Sequence, residues 1–402
     1  MYYGTGTGGA GGTYFPIGGL IANAISSPPG ARSCEKGGTC GVPGLIAIAV
    51  STNASVFNMN AVQAGNLEAG LAGGQSVAQG YEGTGKFKGD RKDKVRIIAN
   101  LYPEDMHLVL PKGTKMNSLK DLEGKSVGVA SAGSGTQVSV KMILKHYGIS
   151  VKENELGLNQ SAQRLADGQL DAFFYAGGTP FAALIQLGSQ KGFELYNFSA
   201  SERKEINKII PYYVESKIPA GTYETIGYDV ATVAVNGQLV TSIDQPTELI
   251  YGITKALWSK KTRSLLDKGH SKGKAIQLDT ALKGVLIPVH PGAEKFYKEK
   301  IMLLESQLND PLLEDISSLI SIFKKEGNLF GNFQVSEKDL VGLSYEQLLP
   351  YVQPAEPENL DLDGLLKGIY LYSPAAKQRK KNAQILASGV GVNWATKAQK
   401  LL

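Results

Sequence analysis

A short apolar strand that runs through a glycine–serine loop directly into a helix leaves a chain few folds to adopt, and residues 118–136 spell out such a unit. After Ser118-Leu119-Lys120-Asp121-Leu122-Glu123-Gly124-Lys125, residues 127–130 form a brief run of small and β-branched apolar residues bounded by turn residues, the pattern of a buried strand. The loop Ser131-Ala132-Gly133-Ser134-Gly135-Thr136 follows, and residues 137–147 space their apolar side chains as a helix does. In such a unit the unpaired N–H groups and the positive end of the helix dipole point at whatever occupies the loop. Small residues let that occupant approach the backbone closely. The loop lacks the Gly-Lys-Ser/Thr ending of a Walker A motif. Its chemistry suits a carboxylate.

A second glycine loop lies near the N-terminus. Residues 2–7 read as a strand, and Gly8-Gly9-Ala10-Gly11-Gly12-Thr13-Tyr14-Phe15-Pro16-Ile17-Gly18-Gly19 leads into a helix over 20–25. Gly6-x-Gly8-x-x-Gly11 matches the dinucleotide fingerprint, but no acidic residue closes a second strand about 20 residues on, where a ribose needs one. Taken alone, the loop reads first as a tight strand-to-helix turn. Two such loops, each opening an α/β unit, point to a two-lobed receptor with its ligand between the lobes. A nucleotide-dependent α/β enzyme built on the N-terminal loop is the alternative.

At 402 residues the chain is long enough for two or three domains, and 42% hydrophobic with 20% charged residues is ordinary for a soluble globular protein. The net charge of +5 is spread along the chain, and the basic clusters at 86–94 and 377–381 read as solvated surface. Without aromatic residues interleaved among them, nucleic acid is not the expected partner; a slight positive balance suits an anionic ligand. No stretch approaches ~20 apolar residues, so no membrane span is expected. No basic-then-apolar leader precedes the first strand, so an exported chain of this sequence has lost its signal peptide.

There are two cysteines, Cys34 and Cys40, in a glycine-bent loop. They close a small disulfide in an oxidising compartment, or remain two reduced thiols. No further Cys or His lies nearby, and His107, His146, His270 and His290 are scattered, so no metal site is expected. Neither Gly-x-Ser-x-Gly nor His-Glu-x-x-His occurs. The chain reads as a non-enzyme that needs no cofactor.

Several further segments carry a family resemblance, in order along residues 2–300. They are the N-terminal loop with Thr13-Tyr14-Phe15-Pro16, the Cys-x5-Cys-Gly-Val-Pro-Gly-Leu loop, Ser51-Thr52-Asn53-Ala54-Ser55-Val56, Asn100-Leu101-Tyr102-Pro103-Glu104, Asp121-Leu122-x-Gly124-Lys125, Ser131-x-Gly133-Ser134-Gly135-Thr136 and Asp171-Ala172-Phe173-Phe174. Tyr251-x-Ile253-Thr254-Lys255-Ala256-Leu257-Trp258 and His290-Pro291-Gly292-Ala293 complete the set. Together they resemble the TAXI family, the extracytoplasmic solute-binding components of tripartite ATP-independent periplasmic (TRAP) transporters. The resemblance implies an α/β, two-lobed type II periplasmic-binding-protein fold, a periplasmic monomer, and a membrane permease as partner. It implies glutamate, 2-oxoglutarate or another dicarboxylate as ligand. The residues agree with a lobe I of 1–103 plus 229–300 and a lobe II of 104–228: β-rich runs at 96–101 and 106–110 are divided by Tyr102-Pro103-Glu104, and residues 230–235 return the chain towards a helix at 247–258.

In open α/β sheets ligands bind beyond the carboxyl ends of the strands, which selects the cleft residues. Ser131, Ser134 and Thr136, with Gly133 and Gly135, combine hydroxyls with N-terminal amides. Thr13 and Tyr14 supply a hydroxyl and a ring wall, or a helix cap and a packed aromatic. Ser51, Thr52 and Ser55 bind a carboxylate or cap the next helix. Tyr102 forms a wall of the site or packs the hinge. Gly178 and Thr179 lie in a loop at the same sheet end, or in a plain turn with Pro180 opening a helix. Arg32 reads as an exposed arginine. Where the family often has Gln-Ser-Asp, this chain has Gly73-Gly74-Gln75-Ser76; Gln75 and Ser76 compensate by a local shift, or the ligand differs.

Residues 301–402 lie outside the family pattern and read as a mostly helical extension, with an amphipathic helix at 308–323, a linker at 353–358, a strand at 367–372 and a helix from 395. Residues 351–371 resemble the late part of homodimeric pyruvate dehydrogenase E1 subunits, without any thiamine-diphosphate chemistry. A fused or chimeric tail is the reading of this part.

Overall fold

The computed structural model describes residues 1–308, 329–330 and 354–355. The tail expectations fall outside them, except that Pro354 and Ala355, read above as linker, pair as a two-residue strand with Leu329 and Phe330. The chain divides into two compact units, Met1–Ile276 with Thr280–Phe296, and Gln277–Asp279 with Tyr297–Leu402. Everything below concerns the first.

In chain order its elements are β1 (Tyr2–Gly6), α1 (Tyr14–Ile25), β2 (Ser26–Ser27), β3 (Val42–Pro43), β4 (Ile46–Val50), α2 (Ser55–Gln63), β5 (Ala69–Gly73), α3 (Gly74–Glu82) and the 17-residue β6 (Val95–Pro111). Then come β7 (Ser126–Gly128), α4 (Gly135–Tyr147), β8 (Lys152–Asn154), α5 (Leu158–Ala166), β9 (Ala172–Gly177), α6 (Ala182–Gln190), β10 (Phe193–Leu195), α7 (Ala200–Ile209), β11 (Val214–Ile218) and the 13-residue β12 (Val230–Ser242). Helices α8 (Thr247–Leu257) and α9 (Lys260–Gly269) follow, and α10 (Pro291–Leu308) leaves the unit.

The main sheet runs β4-β1-β5-β12-β6-β9-β7-β8, with β10 on β6 and β11 on β12. One lobe is built on the parallel set β4-β1-β5 and the other on β9-β7-β8. β6 and β12 belong to both. The first half of β6 pairs with the second half of β12, whereas Val109–Leu110 and their neighbours pair with β9 and β10. In the second lobe, strand alternation feeds two cores, one on each face. Leu108 and Phe174 point into a cluster with Val127, Val140 and Ile143, whereas Val109 and Phe173 point into one with Leu158, Phe181 and Leu184. In the first lobe Val56, Met59, Val77, Val95 and Val240 form the corresponding core.

The two runs expected at 96–101 and 106–110 are one continuous strand, and Tyr102-Pro103-Glu104 does not divide them. Pro103 lacks the N–H a ladder needs, but it faces Asn236 next to a register shift between Gly237 and Gln238, where pairing is already irregular. The helix expected to start at Leu20 begins at Tyr14, since Pro16 has no N–H to lose in a first turn. Pro180 does not open α6; it follows a cis Thr179–Pro180 bond, and the helix starts at Ala182. Cys34 and Cys40 form a disulfide. No helix among the described residues is long and apolar enough to cross a membrane.

Candidate functional site

A cavity of about 430 Å³ lies where the two sets of parallel strands end, within the roughly 300–1,000 Å³ typical of small-molecule sites. Five helices present their first turns to it: α1 with Thr13 and Tyr14, α2 with Ala54 and Ser55, α3 with Gln75 and Ser76, α4 with Ser134, Gly135 and Thr136, and α5 with Gly157, Leu158 and Asn159. Each first turn leaves N–H groups without intrahelical partners and carries about half a positive charge. The loops before α2 and α4 each turn through a non-glycine residue with positive φ, Ala54 and Ala130, both at 67°. L-residues adopt that backbone at a cost, so the surrounding structure must enforce it.

The hydroxyls in the wall divide into two groups. Thr13 donates to the Gly178 carbonyl, a bridge from the first lobe to the second. Ser51 donates to Gly8 O at 3.1 Å, and Thr52 Oγ1 lies 2.7 Å from Asn58 Oδ1 and accepts from the Ala54 N–H at 3.0 Å. Thr136 Oγ1 accepts from the Ala176 N–H at 3.2 Å and gives its own proton to the Ala176 carbonyl at 3.5 Å. These four act as scaffold. Ser55 accepts from the Gly73 N–H at 3.1 Å, and Ser134 caps α4 by accepting from the Gln137 N–H at 3.2 Å. An accepting hydroxyl keeps its own proton to donate, so Ser55 and Ser134, with Ser131, face the cavity able to bind an acceptor.

Gln75 reaches across the cleft, where its Oε1 accepts from Ser139 of α4 at 2.5 Å; Tyr213 in turn donates to Ser139 at 3.0 Å. The Phe57 N–H of α2 donates to Gly133 O at 3.3 Å. Gly11 touches Asn159 of α5 so closely that a Cβ there would overlap its amide. The lobes therefore meet directly, in a closed arrangement. Of the residues selected from sequence, Thr13, Tyr14, Ser51, Thr52, Ser55, Gln75, Ser131, Ser134, Gly135 and Thr136 line the cavity. Tyr102, Gly133, Gly178 and Thr179 do not. Tyr102 is buried at the crossing of β6 and β12. Gly133 contributes its carbonyl to the lobe contact. Thr179 donates to Asp105 at 2.5 Å, in a network where Ser216 donates to the same carboxylate at 2.6 Å and Lys272 stands 3.3 Å away.

Sequence reasoning missed Glu104, the one charged side chain in the cavity wall among the described residues; no Lys, Arg or His lines it. Glu104 is 5% exposed, and its Oε1 has no hydrogen-bond partner among the described residues. The Tyr14 and Tyr102 hydroxyls are likewise buried without a well-formed hydrogen bond among the described residues, Tyr14 standing close to both Glu104 and Ser55. Two glycines make room for the carboxylate. A Cβ on Gly237 would stand 2.5 Å from Oε1, and one on Gly73 would stand 3.2 Å from Oε2. Burial pushes the Glu104 carboxyl up to about 8; the nearby Tyr14 hydroxyl opposes this most, Asp105 adds to it and Lys272 opposes it. Burial, then the Glu104 charge, raises Tyr14 and Tyr102 well above the usual phenol range and takes Tyr175 to about 12. Next along β6, His107 is held neutral, pushed down to about 4 by burial. Its Nδ1 lies 2.9 Å from the Asp105 carbonyl, which can only accept, so Nδ1 carries the proton and Nε2 accepts from Tyr223 at 3.1 Å. The sequence signal for Glu104 was an acidic residue within an otherwise β-forming, buried run.

A family model described as the NMT1-like family matches residues 5–300. The chain belongs to the NMT1-like family. The matched span contains all five helix starts and both crossing strands of the cavity. Over 53 residues this NMT1-like chain is also 64% identical to the pyruvate dehydrogenase E1 component of Mycolicibacterium smegmatis, a stretch that is 13% of this chain and 6% of that protein. The same component of Mycobacterium tuberculosis is 57% identical over 53 residues, again 13% and 6%. The chain thus spans about 6% of the length of those curated relatives. Among solved structures, it is similar to an ancestral arginine-binding protein bound to arginine, at 19% identity and TM-score 0.41 over 68% of this chain and 98% of that one. A periplasmic transporter structure is similar at 12% identity and TM-score 0.44 over 74% and 92%. By its sheet order and shared crossing strands, the NMT1-like chain has a two-lobed α/β fold.

Proposed function

We propose that this chain is an extracytoplasmic solute receptor that closes two lobes on a small carboxylate and delivers it to a membrane permease of the TRAP type. The observation that carries this reading is the convergence of five helix first turns, with the Ser55, Ser131 and Ser134 hydroxyls, on one cavity with no cationic side chain in its wall among the described residues. Fixed N–H groups bind an anion there without a counter-ion. In this reading lobe I is 1–103 with 229–300, lobe II is 104–228, and the receptor is a periplasmic monomer that meets the membrane through its permease alone. Closure follows from linkage: a ligand held by both lobes has more contacts in the closed state and raises its population. The contacts of Thr13 with Gly178 and of Gln75 with Ser139 support such a closed state.

The test is a thermal-shift panel of glutamate, glutamine, 2-oxoglutarate, malate, succinate, lactate and NAD(P). A ligand at 100-fold over its Kd stabilises by about 2.7 kcal/mol, so a carboxylate in the panel should raise Tm. A rise with NAD(P) alone would overturn the receptor reading and favour a nucleotide-dependent enzyme on the N-terminal glycine loop.

A further inference from the structure

The cavity has a second pole that carboxylate binding leaves unused. Beside the first turns of α1 and α2, Glu104 presents Oε1, which has no hydrogen-bond partner among the described residues, close to two buried phenol oxygens, Tyr14 Oη in the cavity wall and Tyr102 Oη behind it. The rings of Tyr14, Tyr175 and Tyr213 line the same wall. Acceptor oxygens and aromatic faces, with one ionisable carboxyl and no cation among the lining residues, are the surroundings an ammonium group selects. A dicarboxylate in this cavity would hold Glu104 in its protonated form, whereas an ammonium group stabilises the ionised carboxylate.

We propose that the ligand is an amino acid bound as a zwitterion, its carboxylate on the first turns of α2 and α4 and its ammonium on Glu104. This deepens the receptor reading and rests on it. Gly73 and Gly237 leave the space in which the Glu104 carboxylate stands. The Gly73-Gly74 departure from the usual Gln-Ser-Asp is then a change that admits an ammonium-binding carboxylate, rather than a loss of binding groups. The groups that face Glu104 are Tyr14 of α1, Tyr102 and Asp105 of β6, Tyr175 of β9, Tyr213 before β11, and Lys272, which is paired with Asp105. Without ligand, burial keeps Glu104 protonated at neutral pH. An ammonium binds the ionised form, so binding releases a proton, and affinity rises with pH until about pH 8.

Matched pairs that differ only in ammonium against ketone provide the probe: glutamate with 2-oxoglutarate, alanine with pyruvate, and leucine with 4-methyl-2-oxopentanoate, extended to all twenty amino acids. Calorimetry on the full chain, in two buffers of different ionisation enthalpy at pH 6, 7 and 8, reads affinity and proton release together. The expected result is that an amino acid binds, its 2-oxo partner binds at least 10-fold more weakly, and close to one proton leaves at pH 7. Glu104→Gln then weakens the amino acid by about 30-fold or more, since it removes one partner of a buried charge pair, and changes the 2-oxo acid by less than 3-fold. A 2-oxo acid or dicarboxylate that binds more tightly than any amino acid, with affinity falling as pH rises, would overturn this assignment and leave the carboxylate receptor standing. Binding of neither class would overturn both. The proton count on the unmodified chain decides independently of how the variant folds.

Discussion

Replacing Glu104 by glutamine removes the one carboxyl in the cavity wall among the described residues while keeping its shape, and the effect on the unliganded fold can be worked through. An unfolded chain releases the Glu104 proton near the ordinary value of 4.5, whereas the folded chain holds it to about 8. Below pH 4.5 both states are protonated, and the residue contributes no pH dependence. Between 4.5 and 8 the unfolded state gains by ionising while the folded state does not, so stability falls with rising pH. At about 1.4 kcal/mol per unit, the loss reaches about 3 kcal/mol at pH 7 and levels off near 5 kcal/mol above pH 8. Glutamine does not titrate, but it buries an amide at a cost of about 1–3 kcal/mol if unpaired. Glu104→Gln should therefore be neutral or slightly destabilising at pH 5 and stabilising by about 2–4 kcal/mol at pH 8.5. Urea unfolding of both proteins at pH 5, 7 and 8.5 measures the difference, from which all other titrations cancel. A difference that stays constant across this range would refute the claim that Glu104 is buried without a counter-charge.

Further outcomes follow from other parts of the site. Gly11→Val places a side chain against Asn159 of the opposite lobe, so ligand affinity should fall by about tenfold or more (about 1.4 kcal/mol), with the unliganded Tm little changed; calorimetry and thermal melts separate the two, and unchanged affinity would contradict closure at this contact. Asp105→Ala strands the Thr179 and Ser216 hydroxyls and the Lys272 ammonium. It should cost about 3–5 kcal/mol in urea unfolding, as does breaking a buried pair; a loss under 1 kcal/mol (roughly the worth of a surface pair) would count against the network. Reducing the Cys34–Cys40 bond, which closes a loop of sequence separation 6, should lower stability by about 2 kcal/mol on the chain-entropy scale. Denaturation with and without reductant checks this.

The parts of this fold that depend on local pattern were legible in the sequence. Residues 46–50 alternate and cluster as a strand should, and β4 occupies them. Glycine and serine after residue 130 mark a helix start, and α4 begins at Gly135 with Ser134 as its cap. What escaped depends on residues far apart in the chain. Tyr102-Pro103-Glu104 contains a strand breaker, and only the pairing of Pro103 with Asn236 shows why the strand continues. In sequence Glu104 stands at the expected crossing point without a role in the site; its burial depends on Gly237 and Gly73 on neighbouring strands and Tyr14 on α1. Hydroxyls present the same difficulty. Thr13, Thr52 and Ser55 are alike in sequence, yet Thr13 and Thr52 spend theirs on scaffold contacts and Ser55 keeps its proton free.

The sharing of β6 and β12 between lobes also sets the order in which the molecule can be assembled. β5 lies between β1 and β12, and Thr241 of β12 pairs with both Ala69 and Arg96. Until a nascent chain has delivered the whole second lobe and then residues 230–242, the first lobe exposes one open strand edge on β5 and another on β6. Such edges invite pairing with other chains. The sequence of β5, Ala69-Gly70-Leu71-Ala72-Gly73, is poor in the β-branched and aromatic residues that make an edge adhesive. The strand that must wait longest for its neighbour is thus among the least able to accept a wrong one, and completion of the sheet is a late, long-range step of the kind that makes folding slow.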